Sequence, residues 1–300
     1  MQQEVMAPGR LHAWARGRAP WLLLVLGALA PTAAAHDMWI VPPAATAAGE
    51  AAEVRLQVGH AGGAETVRRD GRRLARFAAL GPGGEELPVV GLDGAEPAGV
   101  FRPGNAGSWT VVYESHDAFS ELPADRFDHY LEEEGLDAIR VLRRRSGHDA
   151  EPGRELYSRS LKSLVRVGPE PAADRLAADR AVGLPLELVI ETEPALWGAG
   201  ALQLRLLLRG GPLAGALVDV VDLDDGSRVA TPRTDGDGRV ELELGPGTWM
   251  ASVVHMEAET ASPRADWRSV FTTLTWRMDP HPPTPSPSPP AHPPGRGGDP

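Results

Sequence analysis

The sequence predicts a mainly β protein with two β-sandwich-like domains, the first of which contains a short helical insertion. Short runs of alternating polar and apolar residues recur along the chain with turn residues between them, which is typical of half-buried strands. One stretch near residues 123–146 has helical spacing instead. A polar, Pro/Ala-rich stretch at 171–182 separates two groups of predicted strands.

Length and composition support this class and exclude others. The 300 residues are enough for two domains, and 42% hydrophobic residues are enough for packed cores. The absence of cysteine excludes disulfides, thiolate metal sites and a cysteine nucleophile. A formal net charge of −11 argues against a nucleic-acid partner.

Residues 1–35 are typical of a secretory signal peptide. Basic residues precede a ten-residue apolar run at 21–30, and Ala33–Ala35 form an A-x-A cleavage site. Ten apolar residues are too few to span the ~30 Å hydrocarbon layer of a membrane. We therefore expect cleavage after Ala35 and a soluble periplasmic or secreted protein that begins at His36.

The first domain is expected over residues 36–170. Alternation predicts strands at 53–60 and 108–113, and the parity of apolar residues predicts a longer strand at 154–167.

A helical insertion is expected near 123–146 within this domain. Pro123 suits the first helical position, and Gly135 is placed to end the helix in the left-handed conformation. A second short helix is expected over 136–145. The apolar face of the first helix consists of Phe127, Tyr130 and Leu131.

The second domain is expected over residues 183–278, after the linker at 171–182. Turn residues at short intervals separate its strands, as in β-sandwiches. The proline-rich residues 279–300 are expected to be a disordered tail. The strands are predicted at 186–191, 202–208, 217–223, 239–244, 248–256 and 268–276.

The new N-terminus suggests a metal site. The free amine and imidazole Nδ1 of an N-terminal histidine can chelate one ion, and one further imidazole completes a three-nitrogen arrangement suited to Cu(II), with Ni(II) possible. His60 and His255 each close an apolar strand, and Met256 follows on the opposite side of a regular strand. The candidate metal ligands are therefore His36, His60, His255 and Met256. The alternative is that these histidines are partly buried structural residues.

The usual enzyme motifs are missing from the sequence. It has no Gly-x-Ser-x-Gly elbow, His-Glu-x-x-His motif, P-loop or Gly-x-Gly-x-x-Gly motif. We therefore expect a protein that is not an enzyme and has no catalytic residues.

Several motifs occur together along residues 36–278. They are the start His36-Asp37-Met38-Trp39, the strand end Val58-Gly59-His60, the run 127–136, the pattern Glu155-x-Tyr157-Ser158-Arg159-x-x-Lys162, the turns at 211–213 and 234–239, and the ending 265–275. Together they resemble an uncharacterised family of bacterial exported proteins, often labelled as a nickel-uptake or cobalt/nickel transporter periplasmic component.

The resemblance implies a histidine after the signal peptide, one at the strand end and a His-Met pair, which fall on the four candidate ligands. It also covers Glu134, Tyr157, Arg159 and Lys162, which we interpret as a buried ion-pair network joining the helix to the domain. Residues 210–218 and 234–239 resemble the prealbumin-like, immunoglobulin-like β-sandwich modules of carboxypeptidase regulatory domains.

The leading hypothesis is an exported protein that binds Cu(II) or Ni(II) and passes it to a membrane transporter or another metal-handling protein. A first alternative is a metal-free structural or carbohydrate- or protein-binding β-sandwich, in which tryptophans could line a sugar platform. A second alternative is a copper-dependent redox enzyme that uses the same histidine chelate.

Overall fold

A computed structural model describes residues 37–59, 63–168, 180–192 and 201–278. The predicted signal peptide, His36, His60, most of the linker and the proline-rich tail lie outside these residues. Within them the chain forms seventeen strands and two helices in several sheets. The predicted fold class, mainly β with a short helical insertion, is therefore confirmed.

The first part of the chain contains nine strands and both helices. They are β1 (Asp37–Val41), β2 (Ala52–Gly59), β3 (Glu65–Val67), β4 (Leu74–Leu80), β5 (Glu86–Pro88), β6 (Gly99–Phe101), β7 (Gly107–Ser115), β8 (Ala118–Leu122), α1 (Ala124–Glu133), α2 (Asp137–Ser146) and β9 (Gly153–Val167).

The second part of the described chain contains eight strands. They are β10 (Leu186–Ile190), β11 (Ala201–Leu208), β12 (Gly211–Pro212), β13 (Asp219–Asp222), β14 (Arg228–Ala230), β15 (Arg239–Glu243), β16 (Gly247–Ala258) and β17 (Trp267–Met278).

The largest sheet has nine strands and contains strands from both predicted domains. Its order is β14-β13-β16-β17-β9-β7-β4-β5, and β8 also pairs with β9. The link between the two parts is a parallel pairing of β17 with β9, from Trp267 opposite Glu155 to Thr275 opposite Ser163. One sheet therefore runs through both parts, although each part also has a hydrophobic cluster of its own. The division into two domains stays a prediction.

The two faces of this sheet are covered differently. The four-stranded sheet of β10, β11, β12 and β15 packs on one face around a core that includes Trp249, Val253 and Trp276. The other face carries two covers, the small sheet of β1, β2, β3 and β6 and the helices α1 and α2. Alternation along β16 shows which residues lie on which face, since Val253 belongs to the first core and Val254 to the apolar cluster under the helices. We call this second cluster the helix cluster, and it consists of Leu122, Phe127, Tyr130, Leu131, Ile139, Val254, Met256, Trp267 and Phe271.

Helix α1 forms where the sequence predicts it. Its buried residues are Phe127, Tyr130 and Leu131, as expected from their spacing. Gly135 has a φ of +64° and the Leu136 amide donates to the Leu131 carbonyl at 2.8 Å, so the predicted left-handed termination is confirmed.

The helix lies very close to strand β9. A Cβ atom built on Gly153 would come within 2.1 Å of the Phe127 ring. This approach requires glycine at the position, because any side chain would overlap the ring that anchors α1.

A buried ion pair connects β9 to the second part of the chain. Lys162 Nζ donates to Glu187 Oε1 at 2.7 Å, and both side chains are at most 2% exposed. Glu187 also accepts hydrogen bonds from the backbone amides of Val182, Gly183 and Leu184. Lys162 therefore joins β9 to the segment before β10, whereas the sequence interpretation placed it in a network with the helix.

No helix within the described residues is long and apolar enough to cross a membrane.

We predict that Lys162→Met lowers the free energy of unfolding by about 3–5 kcal/mol, because it leaves the Glu187 carboxylate buried without its cation. Urea unfolding measures this change. Arg154→Met is the matched control on the same strand, since its pair with Asp266 is more than 40% exposed on both sides and its loss should change stability little. Equal effects of the two substitutions would contradict the prediction.

We also predict that Gly153→Ala destabilises the fold by about 1–3 kcal/mol, because the added methyl group overlaps the Phe127 ring. Thermal unfolding provides the measurement. Gly104→Ala is the control, since a Cβ there meets nothing within 4 Å. If both variants melt at the same temperature, α1 does not pack on β9 as described.

Candidate functional site

Buried and half-buried polar side chains gather between the two covers on the second face of the large sheet. We call them the polar cluster, which separates the apolar cluster under β1 from the apolar cluster under α1. Strand and helix ends meet here, so the cluster is a candidate functional site. It consists of Asp37, Glu134, Glu155, Arg159, Asp219 and Ser252.

Asp37 begins β1 and lies over β16. The Ser252 hydroxyl donates to Asp37 Oδ2 at 3.1 Å. Asp219 of β13 is the Cα partner of Ser252, so its side chain shares this face of the sheet. Arg228 pairs with Asp219 Oδ2 at 2.5 Å, while the buried Oδ1 atom of Asp219 has no hydrogen-bond partner. Burial raises the pKa of Asp219, and the charge of Arg228 partly opposes this.

Glu134 brings another carboxyl group to the same place from the C-terminal end of α1. Burial and then the negative charges of Asp37, Asp219 and Glu133 raise its pKa to about 8, against the opposing charge of Arg228. Glu134 is therefore mainly neutral at pH 7. The acidic groups around the start of β1 repel one another when they are ionised, and this repulsion favours the neutral form of Glu134.

Glu155 lies beneath the middle of α1 and is fully buried. Its Oε1 atom accepts hydrogen bonds from the Tyr130 hydroxyl at 3.2 Å and from the Ser269 hydroxyl. Its Oε2 atom has no hydrogen-bond partner. Burial raises the pKa of Glu155 to about 6, although these hydrogen bonds and the charge of Arg159 act in the other direction.

Arg159 lies two pleats along β9 from Glu155 and is only 6% exposed. Its guanidinium is 5.0 Å from the centroid of the Phe271 ring and 5.7 Å from that of Tyr157. The Arg159 amide donates to the Ser115 hydroxyl at 2.9 Å. Burial lowers the pKa of this guanidinium, which remains a cation at physiological pH.

The predicted ligands His36 and His60 lie outside the described residues, but their chain neighbours do not. Asp37 and Gly59 are Cα partners in the antiparallel pair of β1 and β2. The first residue of β1 and the last residue of β2 therefore lie side by side. His36 precedes the first of these residues in the chain, and His60 follows the second.

His255 and Met256 occupy opposite faces of β16, as the sequence predicts. Met256 is 4% exposed and packs in the helix cluster. His255 alternates to the other face, where its Nε2 atom is 3.8 Å from Glu257 Oε2 and burial lowers its pKa. The structure therefore does not bring the His255 side chain to the face that carries the polar cluster.

Within the described ranges, the polar cluster included, no set of three or more His, Asp or Glu side chains could hold a metal ion. The tryptophans of these ranges are buried, so they are core residues and do not form an exposed sugar platform. They are Trp39, Trp109, Trp249, Trp267 and Trp276.

Sequence reasoning did not single out Asp219, Ser252 or Asp37 as site residues. Asp219 and Ser252 are polar residues within buried strands, which is a signal of a special position. Glu155 stood at the start of one quoted motif, yet its partner Tyr130 was interpreted only as an apolar helix residue.

A comparison with protein families yields one finding. The model of a family described as "Domain of unknown function (DUF4198)" matches residues 33–257, which include β1, both helices and most of β16. No curated protein matches the chain.

We predict that Glu134→Gln removes a loss of stability at alkaline pH. The pKa of Glu134 is raised from 4.5 to about 8, so the stability contributed by the neutral form is fully present below pH 4.5 and is lost progressively as the pH rises through 8. Between pH 7 and 9 the natural chain should lose about 1–3 kcal/mol more than the variant. Urea unfolding at each pH measures this difference.

Glu132→Gln is the control for that experiment, because Glu132 is an exposed residue of the same helix. The control should keep the pH dependence of the natural chain. A Glu134→Gln profile that matches the control would contradict the placement of Glu134 among the other carboxylates.

Proposed function

The chain belongs to the DUF4198 family, and on that premise we propose that it is an exported protein that binds Cu(II) or Ni(II) at its mature N-terminus. The amine and imidazole of His36 form the chelate, and His60 supplies a further nitrogen. His255 and Met256 remain predicted ligands that substitution can test. A role in metal uptake outside the cytoplasm, with delivery to a membrane transporter, and a prealbumin-like second sandwich are parts of the same proposal.

The pairing of Asp37 with Gly59 carries this proposal. Paired Cα atoms in an antiparallel ladder lie 4.5–5.5 Å apart, and consecutive Cα atoms lie 3.8 Å apart. The Cα atoms of residues 36 and 60 are therefore at most about 13 Å apart, whatever conformation each adopts. Two imidazoles that extend toward each other from such positions can share one ion.

The charges next to this point also favour a cation. Asp37 adjoins His36 in the chain, and the charges of Asp37 and Asp219 are negative enough to raise the pKa of the nearby Glu134 carboxyl group. A divalent cation at the N-terminus would offset this repulsion and favour the ionised form of Glu134. The residues present therefore fit a cation better than an anion.

The donor type selects among metals. Amine and imidazole nitrogens without thiolates suit divalent ions, and the Irving–Williams order places Cu(II) ahead of Ni(II). Both donors must lose a proton before they bind, so affinity should fall as the pH falls.

The test compares two chains by Cu(II) titration and electron paramagnetic resonance. One chain begins at His36 and the other carries one additional alanine before it. We expect a nitrogen-rich axial signal from the first chain and an affinity about tenfold or more lower in the extended chain, because the chelate ring is lost. Identical weak signals from both chains would contradict the proposal.

Substitutions then separate the ligands. His60→Ala should weaken Cu(II) binding by the chain that begins at His36, whereas His129→Ala should not, because His129 is an exposed residue of α1. His255→Ala and Met256→Leu test the remaining predicted ligands. If His60→Ala binds as tightly as the natural chain, the second nitrogen comes from another residue.

A chemical readout is available because Lys162 is the only lysine of the chain and is 1% exposed. An amine-acylating reagent should therefore modify the N-terminal amine selectively. Bound Cu(II) should protect that amine in the chain that begins at His36 and not in the extended chain. Equal acylation of the first chain with and without Cu(II) would exclude the amine as a ligand.

A further inference from the structure

We propose that Glu155 holds helix α1 on the large sheet in a proton-dependent way, so that α1 is bound tightly when Glu155 is neutral and more weakly when it is ionised. This conformational device goes beyond the proposed metal site and does not depend on it. We refer to Tyr130, Glu155 and Ser269 together as the Glu155 contact.

The Glu155 contact joins three elements at the base of the helix. Tyr130 belongs to the inner face of α1, Glu155 to β9 and Ser269 to β17. Both hydroxyls donate to the same carboxyl oxygen. The rest of this face of α1 packs through apolar contacts, including the stacked rings of Tyr130 and Phe271, whose centroids are 6.3 Å apart.

The other carboxyl oxygen makes this contact sensitive to protons. Glu155 Oε2 is buried without a hydrogen-bond partner, and an ionised oxygen in such a position is far more costly than a neutral one. The charged or titratable groups that face Glu155 are Arg159 on its own strand and Tyr130 on α1, while β17 contributes the uncharged Ser269. The charge of Arg159 offsets the cost of ionisation only in part, because the pKa of Glu155 remains raised to about 6.

The direction of the effect follows from this shift. The pKa of Glu155 is higher in the folded chain than its ordinary value of 4.5. The stability that the bound helix gains while the Glu155 carboxyl group is neutral is therefore fully present below pH 4.5. It is lost as the pH rises through 6. Helix α1 should be held more tightly at pH 4.5 than at pH 7.

The position of α1 gives this change a consequence. The helix ends at Glu133, and the next residue, Glu134, lies among the carboxylates around Asp37. A more weakly held α1 therefore uncovers the polar cluster at the start of β1. Glu134 also has a raised pKa, of about 8, so it would ionise when α1 opens and would add to a pH response between pH 4.5 and 7. Every chain in the experiment below therefore carries Glu134→Gln, which leaves Glu155 as the group that titrates.

The experiment measures hydrogen exchange of the α1 amides in the metal-free chain between pH 4.5 and 7, corrected for the intrinsic pH dependence of exchange. We expect the opening equilibrium of α1 to increase about tenfold or more over this range. Glu155→Gln should show no such increase, because glutamine cannot ionise. The amides of β16 report global unfolding and should change less than those of α1.

Two further variants keep the test decisive. Glu121→Gln changes an exposed residue of β8 and should keep the full pH dependence of the chain that carries Glu134→Gln alone. Tyr130→Phe removes the helix side of the Glu155 contact, so α1 should open more at pH 4.5. Its response to pH should be kept or increased, because the Tyr130 hydroxyl lowers the pKa of Glu155 in the natural chain. This variant also serves if Glu155→Gln does not fold.

Two results would overturn the proposal. One is an unchanged pH response of α1 in Glu155→Gln, or a smaller pH response in Tyr130→Phe if the first variant does not fold. The other is a response of β16 equal to that of α1, since Glu155 would then act on global folding rather than on the helix. Both results are independent of whether the chain binds a metal.

Discussion

The parallel pairing of β17 with β9 is the constraint on which the rest of the structure depends. It aligns Ser269 with Tyr157 and Phe271 with Arg159, so the polar and aromatic residues of two distant segments share one face. Strands β16 and β13 follow β17 in the sheet and bring Ser252 and Asp219 to the same face. Without this pairing, neither β1 nor α1 would have a common surface to cover.

The polar cluster exists because two apolar covers meet on that surface and leave polar residues between them. Burial makes carboxyl groups expensive to ionise, and the structure responds in two ways. Glu187 is fully paired with Lys162 and three backbone amides. Glu134, Asp219 and Glu155 are less completely paired and have raised pKa values. The first arrangement stabilises the fold, whereas the second leaves groups that protons or a cation can change.

Much of the local structure could be predicted from the sequence. Alternation located β2 and β9, and the spacing of Phe127, Tyr130 and Leu131 together with Gly135 located α1. The pairing of β17 with β9 could not be predicted, because it joins residues more than a hundred positions apart and leaves no local pattern. The absence of a local pattern also explains why sequence reasoning missed Glu187 as the partner of Lys162 and the approach of Glu134 to Asp37. The metal ligands stay a prediction, since His36 and His60 lie outside the described residues.

The most direct test of the account measures where a metal ion sits relative to α1. The chain contains no cysteine, so Glu133→Cys and Glu241→Cys can each carry a single nitroxide label. Glu133 ends α1 beside the polar cluster, and Glu241 is an exposed residue of β15 on the opposite sheet. Cu(II) added to a chain that begins at His36 should broaden the signal of the label at 133 strongly and that of the label at 241 weakly. Tight Cu(II) binding with equal broadening at both positions would show that the ion lies elsewhere.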